Sequence, residues 1–179
     1  MSAPQLSVVV PVHNERDNLA PLLAEIAASL RGQMAWEAVF VDDRSSDDSL
    51  EVLQALKARH PELRVLALQR QSGQSRAVHS GVKAARAVWV ATLDGDGQND
   101  PADILTLLQA RQHADARVKL LAGWRVKRQD SGPRRWASRA ANEIRVRLLH
   151  DHTPDTGCGI KLFERAAFLA LPYFDHMHR

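Results

Sequence analysis

One feature limits the fold of this chain more than any other. Short apolar runs rich in β-branched residues alternate with segments whose hydrophobic residues recur at helical spacing. Leu6 to Val10 is the first run, closed by Pro11, and predicts a buried strand. Leu19, Leu22, Leu23, Ile26 and Leu30 then predict a helix from about Arg16 to Arg31. Trp36 to Val41 predicts a second strand and Asp42 to Asp48 a polar loop. Leu50, Leu53 and Leu56 mark a second helix, with Asp48 and Glu51 at capping-box spacing. Leu63 to Leu68 reads as the third strand and Gly73 to Arg86 as a helix, with Ala77, Val78, Val82 and Ala85 inward. Val88 to Leu93 is the fourth strand, after which Asp100 and Pro101 read as the N-cap and first residue of a helix. Val118 to Ala122, a helix over Arg134 to Leu149, and Gly159 to Phe163 as a sixth strand complete the pattern. Strands separated by helices need crossover connections. The expected class is therefore α/β, with a mainly parallel sheet covered on both faces.

The 179 residues suffice for one well-packed domain. No apolar run approaches the roughly 20 residues that span a bilayer. The start, Met1 to Gln5, lacks the basic and apolar regions of a signal peptide. Cys158 is the only cysteine, so no intramolecular disulfide forms. Together these predict a single cytoplasmic domain. The net charge of +3 hides an asymmetry: acidic residues dominate from Met1 to Leu63 and basic ones from Arg111 to Arg147. The basic segment suits a solvated surface, anionic lipid or a phosphorylated substrate. Aromatic residues are few and no nucleic-acid motif is present, so no nucleic-acid partner is expected.

Ligands of parallel sheets bind beyond the carboxyl ends of the strands. There the first strand leads into Pro11-Val12-His13-Asn14-Glu15, the second into Val41-Asp42-Asp43-Arg44-Ser45 and the fourth into Asp94-Gly95-Asp96-Gly97-Gln98. Three strand ends thus bring five carboxylates to one edge. Each alone suits a turn or a cap; the set points to a site. Asp94 and Asp96, one residue apart after an apolar strand, can face one cation, and Gly95 lets the backbone approach a phosphate. Magnesium takes one or two carboxylates and completes its shell with water and substrate phosphates. Manganese is accepted by the same ligands. There is no P-loop, no Gly-x-Gly-x-x-Gly fingerprint and no zinc spacing.

These motifs, taken with Gly73-Gln74-Ser75, Asn99-Asp100-Pro101, Gly123-Trp124-Arg125 and Asp155-Thr156-Gly157-Cys158-Gly159, resemble glycosyltransferase family 2 with its GT-A fold. The resemblance is to the branch that makes polyprenyl-phosphate sugars, of the dolichol-phosphate mannose synthase type. It implies a Rossmann-like three-layer α/β/α domain over residues 1–179. Catalytic domains of that branch continue past the position of Arg179, so the domain is expected to be cut short at its C-terminus. The resemblance assigns Pro11, His13 and Glu15, with Val41 and Gly95, to the nucleotide pocket, and Asp43 to the base or ribose. Asp94 and Asp96 would meet the metal and the diphosphate, with Gln98 as a further ligand and Arg125 on the diphosphate. Asp96 and Asp155 would be the catalytic carboxylates, Asp155 on the acceptor side. Where the family often has alanine between the two aspartates, this chain has Gly95.

The implied reaction moves a sugar, with inversion, from a nucleoside-diphosphate sugar (GDP-mannose or a UDP-sugar) to a polyprenyl phosphate, with Mg2+ or Mn2+ as cofactor. A phosphate monoester is largely ionised at neutral pH, so it needs no strong general base. Asp155 would then orient the acceptor. The alternatives are a family 2 enzyme with a hydroxyl acceptor, a nucleotidyltransferase, and a nucleotide-binding domain without turnover. Within 134–149, Trp136, Ala140, Ile144 and Leu148 form a stripe with arginines beside it. That pattern fits contact with the cytoplasmic face of a membrane, or equally a helix packed on its own sheet.

Overall fold

The computed structural model describes residues 3–123 and 158–177. Its strands are β1 (Leu6–Val12), β2 (Trp36–Asp42), β3 (Leu63–Ala67), β4 (Trp89–Thr92), β5 (Leu120–Ala122) and β6 (Lys161–Glu164). Its helices are α1 (Arg16–Leu30), α2 (Ser49–Lys57), α3 (Gln74–Ala84), α4 (Asp103–His113) and α5 (Arg165–Ala170). The strands form one sheet in the order β3-β2-β1-β4-β6-β5. β1 runs parallel to β2 and β4, and β2 to β3; β6 lies antiparallel between β4 and β5.

The two-residue period of β1 separates the layers. Leu6, Val8, Val10 and Val12 pack with Leu19, Leu22, Leu23 and Ile26 of α1, Leu53 of α2 and Ile104 of α4. Val9 faces the other way, with Val39 and Val41, against Ala77, Val78 and Val82 of α3. The result is the expected three-layer α/β/α arrangement with a mainly parallel sheet. α3 lies close against the sheet at Gly81, where a Cβ would sit 2.5 Å from Val9 Cγ1 and 3.0 Å from Val41 Cγ2.

Local details differ from the sequence reading for identifiable reasons. β1 does not stop at Pro11 but runs to Val12. The Val9 carbonyl accepts from Leu93 and the Val12 carbonyl from Asp43, so alternation turns the Pro11 nitrogen toward β4. The β1–β4 ladder has already ended at Val9 and Thr92, and the missing N–H costs no bond. Asp48 precedes α2 without capping it; its carboxylate takes Arg16 Nη1 at 3.2 Å. Asp47 instead accepts from the Ser49 N–H at 3.0 Å, and hydrogen bonding from Ser49 holds the Asp47 carboxyl below its usual range. α4 begins at Asp103 because 100–105 first forms a tighter turn, in which Asp100 accepts from the Ala102 N–H at 2.9 Å. The helix expected over 134–149 lies outside the described residues.

Candidate active site

The carboxyl ends of β1, β2 and β4 open into a cleft of ≈ 290 Å³ lined by Pro11, Val12, His13, Glu15, Asp43, Gln74, Ala77, Asp94, Gly95 and Asp96. The volume is near the lower end of small-molecule sites. Two interlocked loops form part of its walls. Asn14, in the left-handed region at φ 58, accepts from the backbone of Ser46 at 2.7 Å and donates its own N–H to Ser45 Oγ at 3.0 Å. Asparagine tolerates that conformation better than most residues. The Glu15 N–H donates to Ser49 Oγ at 3.0 Å. These bonds tie the loop after β1 to the loop after β2 and fix the entrance of α1.

Asp43 is buried, and both its oxygens are engaged: the N–H groups of Ser72 and Gly73 each donate to it at 2.7 Å. It therefore clamps the loop that leads from β3 to α3. Gly73, at φ 85, needs the freedom of glycine to present its N–H there. His13 Nδ1 lies 3.1 Å from the Asp43 carbonyl, and its Nε2 lies 3.0 Å from Gln71 Nε2. Because a carbonyl only accepts, Nδ1 carries a proton, and the Gln71 amide packs against the other ring nitrogen. The ring plane is fixed between the Asp43 carbonyl and the Gln71 amide.

Asp94 and Asp96 reach the same cleft from the end of β4. Asp94 is half-buried and accepts from Gln74 Nε2 at 2.8 Å. Asp96 is exposed, and its Oδ1 accepts from the Gln98 N–H at 3.1 Å. Between them Gly95 is buried beneath the loop after β1: a Cβ there would lie 2.8 Å from the Pro11 carbonyl oxygen. Glycine at 95 is thus matched to a close crossing of two strand ends.

The structure brings together Pro11, His13, Glu15, Asp43, Asp94, Gly95 and Asp96. Asp42 does not join them; it is buried and accepts from the Ser45 N–H at 3.3 Å, a turn role. Val41 is fully buried against α3 and does not line the cleft. Gln98 is exposed and is also absent from the lining. Arg125 and Asp155 lie outside the described residues. Sequence reasoning assigned no role to Gln71 or Gln74, although Gln74 opens the helix after β3 and so had to approach the same edge.

Among the described residues, four carboxylates and no lysine or arginine line this cleft. A diphosphate entering it alone would meet uniform repulsion. Among the described residues no group of three or more His, Cys, Asp or Glu side chains could hold a metal ion. Two carboxylates at an open cleft nevertheless fit a hard cation that completes its shell with water and phosphate oxygens.

Residues 7–171 match the Glycosyl transferase family 2 profile. The chain is 34% identical over 178 residues to the dodecaprenyl-phosphate galacturonate synthase of Rhizobium johnstonii, covering 98% of this chain and 52% of that protein. It is 38% identical over 169 residues to the undecaprenyl-phosphate 4-deoxy-4-formamido-L-arabinose transferase of Edwardsiella ictaluri, covering 93% and 51%. The chain thus spans about half the length of the curated relatives it matches. Among solved structures, a Pyrobaculum calidifontis mannosyltransferase in complex with GDP-Man and Mn2+ superposes with a TM-score of 0.70 at 23% identity, over 97% of this chain and 48% of that one. Glucosyl-3-phosphoglycerate synthase of Mycobacterium tuberculosis with Mg2+ and UDP gives 0.74 at 17% identity, over 95% and 59%. The latter two establish a shared GT-A fold. With the profile match across most of its length, the chain belongs to glycosyltransferase family 2.

Proposed function

We propose that this chain forms the nucleotide-sugar half of a transferase that moves a sugar to a polyprenyl phosphate, with inversion and with Mg2+ or Mn2+. The observation that carries the reading is the cleft at the ends of β1, β2 and β4, where the described lining holds four carboxylates. Such a lining favours a nucleoside diphosphate only together with a divalent cation. Asp94 and Asp96 would hold that cation, which would neutralise the diphosphate as it leaves. Pro11, His13, Glu15 and Gly95 would border the nucleotide. Asp43 would act near the base or ribose while keeping the loop before α3 in place. Val41 would contribute through its strand position rather than its side chain. Gln98 as a further ligand, Arg125 on the diphosphate and Asp155 toward the acceptor rest on the family resemblance.

The two relatives are named for dodecaprenyl and undecaprenyl phosphate acceptors, which supports the acceptor class. An ionised phosphate oxygen is already nucleophilic at neutral pH. The described residues then need only orient the donor and exclude competing water. No described helix is long and apolar enough to cross a membrane. Work at the cytoplasmic face of a membrane, through 134–149, belongs to the same proposal.

The test is a transfer assay with labelled UDP- and GDP-sugars, undecaprenyl phosphate in detergent, and hydroxyl acceptors run in parallel, each with Mn2+ or with chelator. Label should enter an acid-labile, solvent-extractable lipid phosphate only when metal is present. Label found only on hydroxyl acceptors, or in no product, contradicts the reading.

A further inference from the structure

Asp94 is surrounded more closely than Asp96, and its surroundings come from three separate parts of the chain. Gln74 is the first residue of α3, and its amide donates to Asp94 Oδ1 at 2.8 Å. Asn99 reaches Oδ2 at 3.5 Å, the limit of a hydrogen bond. Gly159, just ahead of β6, lies against the same carboxylate: a Cβ there would sit 2.6 Å from Asp94 Cγ and 2.8 Å from Asn99 Nδ2. Gly159 is itself anchored, because the buried Thr92 hydroxyl of β4 donates to its carbonyl at 3.0 Å. No positive φ is recorded for Gly159, so the constraint on its side chain is space rather than backbone conformation.

We propose that Gln74 and Gly159 are positioning residues for the Asp94 carboxylate. Gln74 holds one oxygen from the α3 side, and the bare backbone of Gly159 supplies the wall on which the carboxylate rests. A carboxylate held from two sides keeps its plane fixed before ligand arrives, so less order has to be created on binding. Partners of metal-binding carboxylates act in this way generally. The proposal rests on the functional reading above, in which Asp94 meets a cation shared with a nucleoside diphosphate. It adds two residues to which that reading gives no direct role.

The test measures two affinities by titration calorimetry: that for UDP or GDP with chelator, and that with saturating Mn2+. The ratio is the gain due to metal. Gln74→Met removes the donor at nearly constant length, and Gly159→Ala adds one methyl against the carboxylate. Each should reduce the gain due to metal by about tenfold. The metal-free affinity should stay within about twofold, because the rest of the pocket is untouched. Gly159→Ala is the variant that risks its fold, so the decision falls on Gln74→Met. An unchanged gain in Gln74→Met overturns the proposal, as does an equal loss of both affinities, which would report general damage to the pocket. If the unaltered chain gains nothing from Mn2+ with either nucleotide, the functional reading fails and the proposal with it.

Discussion

Asp96 stands exposed at the lip of the cleft with one local bond, to the Gln98 N–H. Removing it should cost the fold little and the ligand much. Asp96→Ala is expected to keep its melting temperature within about 1 °C, as surface substitutions do, while metal-dependent nucleotide affinity falls at least about tenfold. His79 gives a second prediction at this scale. It is buried on α3, its ring edge-on to Tyr173 at 5.2 Å and tilted toward Phe168 at 6.2 Å. Burial, with Lys83 and Arg76 nearby, pushes its pKa below the ordinary 6.5. The unfolded chain therefore binds a proton at this histidine more readily than the folded one. Stability from this group is complete above about pH 6.5 and falls as pH drops below it. Melting curves between pH 7.5 and 5 should show that decline, and His79→Phe should flatten it. At the same scale, the carboxylates that line the cleft were readable in the sequence because they lie at or just past the ends of apolar strands. Gln74 and Gly159 were not, because their link to Asp94 exists only once α3 and β6 are seated beside β4.

Opposite the cleft, at the N-terminal edge of the sheet, one buried carboxylate joins several elements. Glu37 Oε1 accepts from Ser7 Oγ of β1 and from the Arg86 N–H, each at 2.7 Å. Its Oε2 takes Arg64 Nη1 of β3 at 3.0 Å, and the same Arg64 nitrogen donates to the Ala84 carbonyl at the end of α3. Ser7 Oγ in turn accepts from the Ala87 N–H at 3.1 Å. Removing Glu37 strands these donors in a largely dry place. The Arg64 side chain is 28% exposed and recovers some water, which limits the cost. Glu37→Ala should therefore lose about 2–3 kcal/mol. That is a drop of about 4–12 °C in melting temperature, with nucleotide affinity unchanged. Element existence was legible because hydrophobic period encodes the buried face: Leu19, Leu22, Leu23, Ile26 and Leu30 are all buried as the helical spacing requires. Strand order was not legible. Nothing in Lys161–Glu164 announces that it inserts antiparallel between β4 and β5, nor that Arg165–Ala170 follows as a helix. The extension of β1 through Pro11 was missed because it depends on where a neighbouring ladder stops.

Across the molecule the sheet has a division of labour. Its N-terminal edge is closed by the Glu37 network, and its C-terminal edge is open and lined by carboxylates. The acidic bias of the first 63 residues is therefore partly the chemistry of the cleft, since Glu15 and Asp43 come from that stretch. On the proposed reading, an anionic ligand binds a cleft of this charge far more tightly with a cation than without one. Thermal unfolding with UDP, GDP and CDP, each with Mn2+ or with chelator, tests that difference most directly. Ligand at about 100 times its dissociation constant stabilises by roughly 2.7 kcal/mol. For a chain of this size that is a rise of about 5–10 °C. The account predicts such a rise with at least one nucleotide and only in the presence of Mn2+. No rise with any of the three, or an equal rise with chelator, would contradict it.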